Sequence, residues 1–259
     1  MPSGDTTPRG SAATPDPRPP GGGVHVLMAV KDLAIAKSRL DHAVDPGARA
    51  ELVVAMFADT LAAATSARGV DDAIVVTPDA RIAERARLLG ARVIADPAAR
   101  TDEGPRDGAG PDDGLNRALA AAAHVVRASH PEAMLVALQA DLPSLTGAEL
   151  DDVLRHTGST PRAFVTDRHG TGTALLIHGD PLRPLAPAFG ADSALRHRAS
   201  GAHALAGAWP GLRTDVDTGD DLRAAVHLGV GPATAETLSL PGVRRHFASS
   251  IVGGGESRG

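Results

Sequence analysis

From Val24 onward, apolar runs of strand length alternate with helix-length segments, and that alternation restricts the chain to an α/β fold built on a mostly parallel sheet. The first run is Val24–Val30, VHVLMAV. Asp45-Pro46 then opens a helix, with proline at a first-turn position where its missing N–H costs nothing. That helix runs through Leu52, Val53, Met56, Phe57 and Leu61. Strands are expected at Ala73–Val76 and Ala91–Ala95, on either side of a helix over Ala80–Leu89 that Thr77-Pro78-Asp79 caps and Gly90 ends. A helix from Leu115 to about Ala128 leads into a strand at Ala133–Leu138. Thr146–His156 reads as a capped helix, because Glu149 stands three residues after Thr146. Strands follow at Arg162–Thr166 and Thr173–His178, then helices over Asp192–Ser200 and after Thr218. There is no internal repeat and no dividing linker. One domain over residues 24–248 is expected, between a Pro/Gly/Ser/Thr-rich leader (residues 1–23) and a similar tail (residues 249–259), both expected to be disordered.

Composition removes several function classes. The 259 residues carry a net charge of -5 and include four Phe, one Trp and no Tyr. A mildly acidic chain with almost no aromatic residues offers neither a polyanion-binding face nor base-stacking platforms, so no nucleic-acid partner is expected. The absence of cysteine excludes a disulfide scaffold, a thiolate zinc site, an iron–sulfur cluster and a cysteine nucleophile. No stretch reaches the about 18 to 20 apolar residues of a membrane span, and the N-terminus lacks the apolar core of a secretory signal. A cytoplasmic protein with no membrane partner is expected. The eleven histidines show no H-E-x-x-H, and neither a G-x-S-x-G elbow, a Walker A loop nor a G-x-G-x-x-G between strand and helix is present.

Three units carry candidate chemistry. In VALQADLPSL, Asp141 follows an apolar strand, at the sheet edge where open α/β folds bind ligands. Asp215 and Asp217 flank Val216, and in extended chain both point to one face. Brought beside Asp141, they form an oxygen-donor site suited to Mg2+ and substrate phosphates. The alternative is that Asp141 caps the next helix and that Asp217 or Thr218 caps the last one. The second unit is the loop after the first strand, where Lys31, Lys37 and Arg39 suit a nucleoside triphosphate. The third is FGADSALRHR, where Gly190 and Ser193 begin a helix and offer an anion backbone N–H groups and a hydroxyl, or are an ordinary helix start. The alternative there is that Arg196 and Arg198 are solvated and His197 is a surface residue. Gly170-Thr171-Gly172-Thr173 offers a small-residue approach to a ligand, and Gly114-Leu115-Asn116 begins a helix within reach of a base or ribose.

Taken together, AVKDLAIAKSRL, VTPD, DDGLNRAL, LQADLPSL, GTGTALL, FGADSALRHRASGA and DVDTGDDL occur in an order that resembles the guanylyltransferases of coenzyme F-420 biosynthesis. That family comprises phosphoenolpyruvate and 2-phospho-L-lactate guanylyltransferases and is related to the molybdopterin guanylyltransferases. The resemblance spans about Val24 to Val230. It implies a single nucleotide-diphospho-sugar-transferase-like α/β domain whose mostly parallel sheet is flanked by helices. It also implies a nucleotidyltransferase that moves GMP from GTP onto the phosphate of phosphoenolpyruvate or 2-phospho-L-lactate, with Mg2+ as cofactor. By the same resemblance Lys31, Lys37 and Asp141 are catalytic, and Lys37, Arg39, Gly114 and Asn116 contact the nucleotide. Thr173, Gly190 and Ser193 would contact the phospho-acid, and Asp141, Asp215 and Asp217 would hold the metal. A downstream transferase that accepts the product is an expected partner. The extra Ala98–Gly110 stretch, before the GLN segment, departs from the family pattern. Another guanylyl- or nucleotidyltransferase of the same fold, or a catalytically silent nucleotide-binding module, is the alternative.

Overall fold

A computed structural model of the chain describes residues 22–31, 46–95, 113–241 and 243. Lys37, Arg39, the Ala98–Gly110 stretch, the expected tail and all of the expected leader except Gly22 and Gly23 lie outside the described residues.

β1 (Val24–Ala29) is buried along its whole length. Val26 and Met28 enter one core, and Leu27 and Ala29 the other. A strand covered on both faces has no polar side, which is why the run lacks a clean two-residue period. α1 (Pro46–Ser66) leads to β2 (Asp72–Val76), parallel to β1 with Leu27 opposite Ile74. Asp79 caps α2 (Ala80–Leu88), its carboxylate accepting from the Arg81 and Ile82 amides at 2.8 and 3.2 Å. β3 (Arg92–Ile94) then adds outside β2. α3 (Asp113–Ser129) carries the chain back across the sheet to β4 (Met134–Leu138), which pairs parallel with the free side of β1.

The second half begins with α4 (Gly147–Thr157) and β5 (Arg162–Thr166). β6 (Thr173–His178) is inserted antiparallel between β4 and β5. After α5 (Ser193–Ala199), the two-residue β7 (His203–Ala204) pairs parallel with β5. α6 (Pro210–Arg213), α7 (Gly219–Leu228) and α8 (Pro232–Ser239) follow. The sheet order is β3-β2-β1-β4-β6-β5-β7. Residues of α1, α2, α4 and α7 pack in one core, and those of α3 and α5 in the core on the opposite face.

The expected elements are present, with ends shifted by a residue or two, and the expected α/β class with a mostly parallel sheet is the observed one. β7, α6 and α8 were not expected. The first two are too short to carry a period. α8 is docked by Asp59 of α1, whose carboxylate accepts from the Ala233 and Thr234 amides at 3.0 and 2.8 Å. That cap comes from a residue far away in sequence, so no local pattern announces it. Phe57, Phe164, Phe189 and Trp209 are each 1% exposed or less, and each such side chain contributes roughly 3 kcal/mol or more when weighed against truncation. Among the described residues the sparse aromatics therefore serve packing. No helix among the described residues is long and apolar enough to cross a membrane.

Candidate functional site

The chain steps outward from β1 through β2 to β3 on one side, then resumes at β4 on the other. The order of strands thus reverses between β1 and β4, and in open α/β sheets ligands bind beyond the carboxyl ends of the strands at such a switch point. Lys31 lies just beyond β1 and Asp141 just beyond β4. Because β6 runs antiparallel, its first residue, Thr173, reaches the same edge, where the Gln139 amide donates to the Ala174 carbonyl at 3.0 Å. Lys31 is exposed, and its Cε would stand 3.9 Å from a Cβ placed on Gly114, so its side chain runs beside the first turn of α3.

The two acidic segments meet. The Val216 amide donates to the Asp141 carbonyl at 3.1 Å. Val216 is fully buried, Asp215 half-buried and Asp217 exposed, the alternation expected of an extended run. Neither helix takes its cap from these aspartates. Thr146 caps α4 in a reciprocal box with Glu149, and Thr218 caps α7 in the same way with Asp221. Among the described residues no three His, Asp or Glu side chains form a group able to hold a metal. The three aspartates are thus not a ready-made three-carboxylate cage. What the segment offers is oxygen donors on two adjoining stretches of backbone, Asp141 half-buried on one and Asp215 on the other.

The turn after Asp141 is held from several sides. Thr60 Oγ1 donates to the Met56 carbonyl at 2.8 Å and accepts from the Leu142 amide at 2.9 Å. The Gly231 amide donates to the Pro143 carbonyl at 2.8 Å, and Ser144 Oγ donates to the Ala225 carbonyl at 2.9 Å. A Cβ on Gly211 would overlap the Ser144 carbonyl oxygen, so α6 packs against this turn only with glycine there. Behind Asp215–Asp217 stands Asp221, buried, accepting from Arg168, from the Thr218 amide at 2.8 Å and hydroxyl at 2.7 Å, and from the Asp217 amide at 3.2 Å. Burial alone would raise its carboxyl; the hydrogen bonds from Thr218 and Arg168 outweigh it and hold the group below the usual carboxylate range.

The third unit is a braced loop. The Asn116 side chain clasps Phe189, accepting from its amide at 2.8 Å and donating to its carbonyl at 3.1 Å. Arg196, read from sequence as solvated, turns back onto the carbonyls of Ala188, Phe189 and Ala191. His197 corrects the sequence reading outright, since it is fully buried rather than on the surface. Its Nε2 lies 3.0 Å from the Ala188 amide and its Nδ1 2.9 Å from Thr173 Oγ1. Burial, then the nearby Arg162 and Arg196 charges, push the imidazole down to about 4, so it is neutral at pH 7. The start of α5 is not an ordinary capped one. Asp192 sits in the left-handed region at φ 53 with no side-chain cap bond, a conformation few non-glycine residues adopt. Gly190 has φ 114, which favours glycine. Thr173 and Ser193 are buried and Gly190 is half-buried. Nor does Gly172 open an approach to a ligand: a Cβ there would overlap the Asp167 carboxylate, which accepts from the Thr171 and Gly172 amides at 3.1 and 2.9 Å.

The structure thus brings Lys31, Gly114, Asp141, Thr173 and Asp215 to one sheet edge, and Asn116, Gly190 and Ser193 to the loop and helix beside it. His197 and Asp221 were missed as site residues. The signal for His197 was its spacing three residues after Ala194 and four after Ser193, which puts all three on one buried stripe of α5.

Residues 24–200 match a family model described as "Guanylyl transferase CofC like". A Rhodococcus opacus (strain B4) protein named phosphoenolpyruvate guanylyltransferase is 52% identical over 229 residues, 88% of this chain and 94% of that one. A protein of the same name from Nocardia farcinica is 54% identical over 215 residues, 83% of this chain and 90% of the relative. Among solved structures, a candidate nucleotide-diphospho-sugar transferase from Desulfovibrio desulfuricans G20 superposes with a TM-score of 0.54 at 16% identity, covering 90% of this chain and 95% of that one. A Methanothermobacter nucleotidyl transferase gives a TM-score of 0.52 at 18% identity, covering 80% of this chain and 98% of that one. At such identities the two structures speak for the fold alone; the family model and the sequence relatives speak for kinship, and this chain belongs to the CofC-like guanylyl transferases.

Proposed function

We propose that this protein transfers GMP from GTP to the phosphate of phosphoenolpyruvate, with 2-phospho-L-lactate as the alternative acceptor, within coenzyme F-420 biosynthesis. The relatives that share about half of its sequence carry the first of these names. The observation that carries the reading is the joining of Asp141 to the Asp215–Asp217 segment at the end of β4, the strand paired with β1 and so beside the strand end that carries Lys31.

In this reaction a phosphate oxygen of the acceptor attacks the α-phosphorus of GTP. The bond to the bridging oxygen of the leaving group breaks, and pyrophosphate departs with its electron pair. A phosphate monoester has a second pKa near about 6 and is largely dianionic at neutral pH, so the attacking oxygen needs no general base. The obstacle is the approach of two polyanions, and positioning with charge neutralisation removes it. Lys31 supplies a mobile cation beside the first turn of α3, with Lys37 and Arg39 of the following loop as further phosphate contacts. Gly114 and Asn116 stand on the nucleotide side. Thr173, Gly190 and Ser193 hold the phospho-acid.

Asp141 and Asp215 fit magnesium, with Asp217 in support, because that ion is commonly held by one or two carboxylates together with substrate phosphates and water. When bound, magnesium draws charge from the phosphate oxygens and orients them. The braced turn after Asp141 keeps its carboxylate in place without the cost of ordering a loop on binding. A cytoplasmic location and a downstream transferase that takes up the reactive product complete the proposal.

The test is pyrophosphate release from GTP and magnesium with phosphoenolpyruvate, 2-phospho-L-lactate or 3-phosphoglycerate supplied separately, and with ATP and CTP as controls. Release with GTP and phosphoenolpyruvate alone is the expected result. Release with another acceptor would reassign the substrate, and no release from any pairing would favour a silent nucleotide-binding module.

A further inference from the structure

We propose that His197 is a positioning residue that fixes the direction of the Thr173 hydroxyl, so that Thr173 offers its proton, rather than a lone pair, to the anionic acceptor at the sheet edge. The inference rests on the acceptor site proposed above and adds a residue and a hydrogen-bond direction to it.

Two independent features set this arrangement. The first is a β-bulge. Val165 pairs with Leu175, but the next residue, Thr166, pairs with Thr173, so Ala174 is the extra residue of β6. Ala174 and Leu175 enter the same core, whereas strict alternation would put them on opposite faces. Strict alternation would likewise leave Thr173 on the face of Leu175 and Ile177. The bulge turns it instead toward α5, where its Oγ1 meets His197. Bulges beside functional sites commonly re-aim a side chain in this way.

The second feature is the partner on the far side of the imidazole. The Ala188 amide can only donate, so His197 Nε2, 3.0 Å away, must present its lone pair. The ring proton of the neutral imidazole therefore sits on Nδ1 and is donated to Thr173 Oγ1 at 2.9 Å. With a lone pair of that oxygen engaged, the Thr173 proton is left for another acceptor. Phosphate and carboxylate oxygens accept only, so this is the polarity they require. The opposite tautomer would set two N–H groups head to head at Ala188 and would draw the Thr173 proton inward. The Phe189 ring, edge-on with centroids 5.3 Å apart, and the Phe164 ring at 6.0 Å pack beside the imidazole. One histidine thus joins the start of β6 to the loop that carries Gly190.

Paired variants separate this role from core filling. Glutamine reaches the Nε2 position and keeps an acceptor for the Ala188 amide, but it has no donor at the Nδ1 position; asparagine keeps a donor there. His197→Gln should raise the KM for phosphoenolpyruvate about tenfold, the weight of one hydrogen bond to an anion, and leave kcat and the KM for GTP within about twofold. His197→Asn should raise it less than about threefold. Thr173→Val should match His197→Gln, and the double variant should add nothing further. Equal effects of glutamine and asparagine, a parallel rise in the KM for GTP, or additivity in the double variant would each overturn the proposal. Nitrogen-15 spectra of the histidine-labelled full chain give a readout independent of activity: a protonated Nδ1 is expected, and a protonated Nε2 sinks the idea. Should the wild type release no pyrophosphate with any acceptor, the reading of the site fails, and the Thr173 proton direction then stands or falls on that spectrum.

Discussion

The two loops at this sheet edge are held by different chemistry. The turn after Asp141 is fixed by neutral groups: a threonine hydroxyl on α1, a serine hydroxyl, backbone amides of Val216 and Gly231, and the close approach of Gly211. The Ala188–Asp192 loop is fixed by three polar side chains, Asn116, Arg196 and His197. The first contains no titratable group among these braces, so the carboxylate it carries can bind a cation without moving its support. The second depends on a neutral histidine, and protonation loosens it. The charged brace nearest the acidic segments, Asp221 with Arg168, belongs to neither loop and titrates in another range.

That contrast can be broken most sharply at Asp141. Asp141→Asn should lower turnover at least about a hundredfold, because a charge that acts on the reacting phosphates is lost, while the melting temperature stays within a few degrees. A similar drop in stability would show that the carboxylate serves the fold. The next largest effect is one of pH. His197 has its folded pKa depressed from 6.5 to about 4, so the stability it permits is complete above pH 6.5 and is lost as the pH falls toward 4. The loss in that window is roughly 3 kcal/mol. Denaturant unfolding at intervals between pH 7 and 4 should show a slope in the wild type that is smaller in His197→Gln. Asp221 gives the opposite check. Its depressed carboxyl contributes stability that is present above its unfolded pKa and lost only as the pH falls below about 4, so Asp221→Asn should leave the slope between pH 7 and 5 unchanged.

Smaller effects sharpen the comparison from each side. Asn116→Ala leaves the buried Phe189 amide without its acceptor and should destabilise the fold by about 2 kcal/mol in urea unfolding, with a raised KM for the phospho-acid. Thr60→Val does the same to the Leu142 amide, but the bonds from Gly231 to Pro143 and from Ser144 to Ala225 still hold this turn, so about 1 kcal/mol is expected. If Thr60→Val costs more than Asn116→Ala, the turn after Asp141 is the more fragile of the two, and the contrast fails.

Much of this was legible in the residue order. The buried runs VHVLM, AIVV and MLVAL can only be central strands, and the box begun by Thr146 and Glu149 marks its helix start, because both signals act over a few residues. The acidic residues after β4 and before α7 were legible as a pair of candidates for the same reason. His197 was misread since a histidine between two arginines looks solvated until the packing of α5 against Phe164 and Phe189 is known. Asn116 gave no sign that its amide would span the chain to Phe189.

The sequence by itself determined the class of fold, the succession of elements and the residue types gathered at the strand ends. Only the tertiary structure decided that Val216 bonds to Asp141, that β6 runs antiparallel and carries a bulge, and that a buried ring links Thr173 to Ala188. Capping and hydrophobic period are local and survive in one dimension; register, strand direction and side-chain pairing across many tens of residues exist only once two cores have closed on the sheet.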